Sequence, residues 1–144
     1  MNAFIPTRTK ISETKSAETP SAQTPTDALF TLTGKVIDHK AGLQAAIGKE
    51  YFLQELLDMM YDSIPTEIEQ LNTAHQKNDW EKICALVHKL NGGTGSCGAI
   101  RLGEACTNLV KYLKNGQTEL AEKLYQQVLG EMEAFRKERE KMKK

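Results

Sequence analysis

From Val36 onward apolar residues recur at intervals of three and four, and the rhythm breaks only at short polar or glycine-containing stretches. Asp38 to Ile47 reads as a short helix that Asp38 caps and Gly48 ends. From Lys49 to about His75, Phe52, Leu56, Met59, Met60, Ile64, Ile68 and Leu71 form one apolar stripe along a long helix. Pro65 falls inside it. The stripe stays in phase across the proline, so a kink is expected rather than a break, with Ser63 placed to help satisfy the freed carbonyl. Asn78 is read as the cap of a helix beginning at Asp79, whose inward face is Trp80, Ile83, Cys84, Val87 and Leu90. Gly92, Gly93 and Gly95 weaken that helix. Ser96 or Gly98 is then placed to cap the next one, which runs from Ala99 to about Leu113 through Leu102, Ala105, Cys106 and Leu109. Asn115-Gly116 closes it, and a last helix from about Thr118 carries Leu120, Leu124, Val128, Met132 and Phe135. No segment alternates with period two for long enough to be a strand. Turns this short join antiparallel neighbours, so the fold class is all-α: an antiparallel four-helix bundle with a short additional N-terminal helix.

Outside residues 36–141, which hold the bundle, the pattern fails. Residues 1–34 are rich in Thr, Ser, Pro and Ala and bury too little side chain to offset backbone ordering, so they read as a disordered linker or tail. Phe4, Ile5, Leu29, Phe30 and Leu32 are scattered hydrophobes within or beside it. Such a tether suits the last module of a larger protein, and a free-standing module equally. Arg136 to Lys144 is a charge run with no apolar stripe, expected to be a solvated helix extension, and residues 142–144 are its charged end.

Composition narrows the partners. Nineteen basic residues balance nineteen acidic ones, which removes the electrostatic argument for a nucleic-acid binder and leaves protein partners. An apolar fraction of 40% supports a core that is mostly aliphatic, since only 6% of residues are aromatic. Cys84, Cys97 and Cys106 contain no CxxC pair and are odd in number, which argues against a disulfide scaffold; Cys84 and Cys106 fit buried helix faces as small hydrophobes. There is no run of eighteen apolar residues to span a membrane and no signal-peptide core, so a reducing, cytoplasmic setting is expected.

The chemistry concentrates at Val87-His88-Lys89-Leu90-Asn91-Gly92-Gly93. Each glycine in a helix costs about 1 kcal/mol relative to alanine, so something needs the missing side chains. Gly92 lies four residues after His88 on the same helix face, and Cys84 and Ala85 lie four and three before it. All are small, which uncovers the imidazole. A neutral imidazole with a pKa near roughly 6.5 keeps a lone pair available as a nucleophile around neutral pH. His39, near a helix start, and His75, near a helix end where the dipole favours it, lack such small neighbours. A zinc site at His88 and Cys84 falls two ligands short. No nucleotide-binding glycine motif or acid and base constellation supports an autonomous enzyme.

His88-Lys89-Leu90-Asn91-Gly92, then Gly98, then Leu102, Cys106 and Leu109 resemble the histidine phosphotransfer (HPt) domain over roughly residues 36–135. That family's pattern is a histidine, any residue, an aliphatic residue, usually lysine, and glycine, with a second glycine and Leu…Cys…Leu on the next helix. The resemblance implies a phosphorelay in which His88 accepts a phosphoryl group from a receiver-domain aspartate and passes it to another. It implies response-regulator receiver domains and an attached or separate sensor kinase as partners, a monomeric bundle, and no intrinsic cofactor, with Mg²⁺ held by the receiver. The chain would then lack kinase activity of its own, and could form the cytoplasmic end of a membrane-anchored hybrid sensor kinase. Gly92 would give access and Gly98 would shape the following turn. Asn91 departs from the family's lysine, which removes a charge near the phosphoryl group; its amide can still donate a hydrogen bond, more weakly. Lys89 points about 100° from His88 and is a poor substitute, although it could meet an acidic receiver surface. The competing reading is a helical interaction module of the same fold without relay chemistry.

Overall fold

The computed structural model of the chain describes residues 31–143. Most of the tail expected at residues 1–34, with Phe4, Ile5, Leu29 and Phe30, lies outside the described residues. The described elements are α1 (His39–Ala45), α2 (Glu50–Gln76), α3 (Trp80–Thr94), a 3₁₀ turn (Gly95–Cys97), α4 (Ile100–Lys114) and α5 (Ala121–Met142). Helix α3 packs between α2 and α4, and α5 closes the ring against α4 and α2, which makes the expected all-α four-helix bundle with α1 bracing one end.

Local chemistry sets the helix ends. The Asp38 side chain accepts from the Ala41 amide at 3.0 Å and starts α1. Helix α3 starts one residue later than its sequence implies. Asp79 caps it by accepting from the Lys82 amide at 3.0 Å, while Asn78 takes a left-handed conformation (φ 57°) and its side chain accepts from the Trp80 indole. At the other end neither Ser96 nor Gly98 caps α4, since the residue before its first turn is Ala99, without a side-chain cap. Gly98 instead sits at φ +75°, where a Cβ would collide with the Asp38 carbonyl. Its own carbonyl accepts from the Asp38 amide at 2.8 Å, tying the α3–α4 turn to the start of α1.

Helix α2 runs unbroken through Pro65. The Ser63 hydroxyl donates to the Met60 carbonyl at 2.9 Å, one residue before the carbonyl that the proline frees. The buried stripe of α2 is rotated from the expected one. Leu53, Leu57, Met60, Ile64, Leu71 and Ala74 face the core, whereas Phe52 is exposed and Met59 is 67% exposed. Leu86, absent from the expected face of α3, is buried, while Trp80 and Cys84 are half-buried. With Leu102, Leu109, Leu124, Val128, Met132 and Phe135 these residues fill the core, each fully buried leucine contributing about 2 kcal/mol.

The charge run at the end of α5 is not simply solvated. Arg139 is 2% exposed. Its guanidinium donates to Asp58 Oδ1 at 2.8 and 3.2 Å and to Gln54 Oε1 at 2.6 Å. Lys143 reaches the same Asp58 oxygen at 3.1 Å. A buried guanidinium needs these acceptors, and they fasten the last turns of α5 to α2. Where the chain enters the bundle, Thr33 and Gly34, placed in the tail by composition, are held by the Glu104 carboxylate, which accepts from their amides at 3.1 and 3.2 Å.

The Arg139 and Lys143 hydrogen bonds hold the Asp58 carboxyl below its ordinary range. A lowered folded-state pKa stabilises above the unfolded value, so this contribution is present at neutral pH and is lost as the pH falls below about 4. Asp58→Ala, which leaves the buried guanidinium with Gln54 but without its counter-charge, should cost roughly 2 kcal/mol at pH 7, more than Arg139→Met, which replaces it with an apolar side chain of similar length. Thermal melts of the two variants at pH 7 and pH 3 check this. Equal losses, or an Asp58→Ala penalty that persists undiminished at pH 3, would contradict the stranded-charge account.

Candidate functional site

Helix α3 carries two unlike faces. Ile83, Leu86, Val87, Leu90 and Thr94 are buried against the bundle. Glu81, Ala85, His88 and Gly92, at intervals of four, three and four, are all exposed and form the opposite stripe. His88 therefore stands on a helix fixed from behind, with small residues one turn to either side. A Cβ added at Gly92 would meet nothing within 4 Å, so the domain's own packing does not require glycine there. Gly93 differs, because its Cβ would press on the Met60 methyl at 3.0 Å. One glycine serves the interior; the other leaves open space beside His88.

The other two histidines are engaged. His39 Nε2 lies 2.8 Å from Glu50, and His75 Nε2 lies 2.6 Å from Glu122 while its ring stacks on Tyr125 at 4.5 Å. The helix dipole is thus not what chiefly holds His75. Among the described residues, the His88 ring makes no hydrogen bond or ion pair. A free ring nitrogen is what a nucleophilic role requires.

The remaining predicted site residues divide between the two sides of His88. Ala85 and Lys89 line an open groove toward α2, with Glu69, Thr73 and Lys82. Lys89 is turned from His88, as helix geometry requires. Cys84 is half-buried. Asn91 faces the other way. Its amide donates to Thr107 Oγ1 on α4 at 3.0 Å, and its Oδ1 accepts from Thr94 Oγ1 at 2.9 Å. The donor expected to meet a phosphoryl oxygen is committed to packing α3 on α4. Sixteen residues separate Asn91 from Thr107, so no local pattern signals the pair. Gly98 lies in the turn beyond, away from the exposed stripe.

Cys97 and Cys106 are buried, which pushes their thiols up to about 11 and about 12, so both stay protonated near neutral pH. Among the described residues no three His, Cys, Asp or Glu side chains come together in a way that could hold a metal ion. No helix there is long and apolar enough to cross a membrane.

Comparison with known proteins supplies the family. The chain is 30% identical over 89 residues to the sensor protein GacS of Pseudomonas syringae pv. syringae, covering 62% of this chain and 10% of that protein. It is 32% identical over 80 residues to the sensor histidine kinase GacS of Pseudomonas protegens, covering 56% and 9%. The chain thus spans about a tenth of the length of these curated relatives. The crystal structure of the HPT domain from a Shewanella sensor hybrid histidine kinase superposes with a TM-score of 0.69 at 25% identity, covering 74% of this chain and 92% of that one. A family model described as the Hpt domain matches residues 55–138, from the first turns of α2 almost to the end of α5. With a helical bundle that displays one unengaged histidine, the chain belongs to the Hpt domain family, the phosphotransfer modules of two-component phosphorelays.

Proposed function

We propose that His88 is the phosphoryl carrier of this domain, loaded from the aspartyl phosphate of one receiver domain and unloaded onto the aspartate of another. In the first step a ring nitrogen of His88 forms a bond to phosphorus as the bond to the aspartyl oxygen breaks, and the carboxylate leaves with the electron pair. The second step is the reverse, with the aspartate of the next receiver as the attacking group. The observation that carries this reading is the exposed Ala85-His88-Gly92 stripe on a helix whose opposite face is buried. A rigid, bare imidazole can be brought into line with a phosphorus atom held by a partner, and this positioning is most of what phosphoryl transfer needs. The Mg²⁺ and its carboxylates belong to the receiver, and the partner docks over the small residues around His88.

Incubation with a phosphorylated receiver domain and Mg²⁺ should place an acid-labile, alkali-stable phosphate on the domain. His88→Gln should abolish that label; if the label survives, His88 is not the carrier and an interaction module becomes the better account. Gly92→Leu starts from an exposed position where a Cβ meets nothing within 4 Å, so it should stay folded by circular dichroism yet slow transfer at least about tenfold by covering the approach. Transfer at the unsubstituted rate would refute the access argument. Asn91→Lys removes the side-chain bonds to Thr107 and Thr94 and should cost about 1–2 kcal/mol of stability in a denaturant titration. An unchanged midpoint would mean that the pair contributes nothing.

A further inference from the structure

Asn91 leaves the domain without the lysine its family usually carries one turn from the histidine, and the packing of α4 on α3 points to where that charge is restored. The Asn91–Thr107 hydrogen bond sets the register of the two antiparallel helices. Three residues back from Asn91 along α3 is His88, an axial step of about 4.5 Å. Four residues on from Thr107 along α4 is Lys111, a step of about 6 Å in the same direction. Lys111 therefore comes level with His88 to within about 1.5 Å along the bundle. Both residues are exposed, and each stands one turn from a member of the seam bond on the neighbouring strip of its helix, His88 three residues from Asn91 and Lys111 four from Thr107. Helices packed about 8–10 Å apart bring the ammonium of a lysine within reach of a group carried on the imidazole of its neighbour.

The charges nearby favour this use. The Lys111 side chain makes no hydrogen bond or ion pair among the described residues. Glu81, on the exposed stripe of α3, is seven residues from His88, about 10 Å along the axis. Glu104 is committed to the amides of Thr33 and Gly34. Lys89, the basic residue adjacent to His88 in sequence, lies on the groove side toward α2.

We infer that Lys111 on α4 is the cationic partner of the phosphoryl group on His88, taking the place of the lysine that Asn91 replaces. The inference rests on His88 being the phosphoryl carrier. A phosphoryl group brings close to two negative charges, and one ammonium beside it favours the loaded state over the free imidazole.

Phosphoramidate as a small donor tests this without any partner protein. Its P–N bond breaks as phosphorus bonds to a ring nitrogen of His88, and ammonia leaves with the electron pair. The quantities read are the level of phosphohistidine reached and its decay once the donor is removed. Lys111→Gln should lower the level and hasten the decay by about threefold to fivefold, with the difference narrowing at high salt. Lys111→Arg should restore both. Lys123→Gln, on α5, makes the same change in net charge and should leave both near the unsubstituted values. Equal decay and level in Lys111→Gln and the unsubstituted domain, with the label on His88, would overturn the role of Lys111 alone. Absence of label on His88 in the unsubstituted domain would overturn the carrier reading and this inference with it.

Discussion

The close approach of α3 and α4 is the constraint on which the histidine face depends. Gly103 permits it, since a Cβ there would lie 2.8 Å from Thr94 Oγ1 and force the helices apart. Because the backbones come this near, Asn91 can reach Thr107 across the seam, while Thr94, one turn on within α3, donates to both the side chain and the carbonyl of Asn91 and holds its amide in place. A short polar network of this kind fixes register more sharply than apolar packing, since a slip of one residue would leave half-buried donors without acceptors. The same register fixes which α4 side chains stand beside His88.

Rigidity behind the histidine matters as much as openness in front of it. Val87 and Leu90, the residues flanking the His88-Lys89 pair, are buried, so the imidazole projects from a backbone that the core holds in place. The glycines around it divide their roles. Gly93 lets Met60 approach, Gly98 takes a left-handed turn against Asp38, and Gly92 answers to no contact inside the domain. A helix that tolerates the cost of Gly92 without an internal reason is arranged for something outside it.

Where the chain enters and leaves the bundle it is secured by charge, in both cases near the end that holds the α3–α4 turn. Arg139 anchors the last turns of α5 to Asp58 and Gln54, and the Glu104 carboxylate holds Thr33 and Gly34 against α4. Neither device is near His88 in sequence, yet both steady the helices that flank α3. The domain can thus leave its middle face bare while its borders are tied.

The sequence alone determined the number of helices, their spans within a few residues, the turns and the place of His88. These depend on local terms: helical periodicity, capping side chains, and the cost of glycine inside a helix. The tertiary structure decided which of two adjacent faces is inside. In α2 the doublets Phe52-Leu53, Leu56-Leu57 and Met59-Met60 satisfy the helical period equally well about 100° apart, and only the positions of α3 and α5 select Leu53, Leu57 and Met60. Likewise, Arg139 lies in a charge run that reads as solvated until Asp58 and Gln54, more than 80 residues away, supply its acceptors. Asn91 reads as a weakened neighbour of the phosphoryl site until Thr107 draws its amide across the seam. Pairings between distant parts of the chain leave no local pattern, because the energy that selects them exists only once the helices have packed.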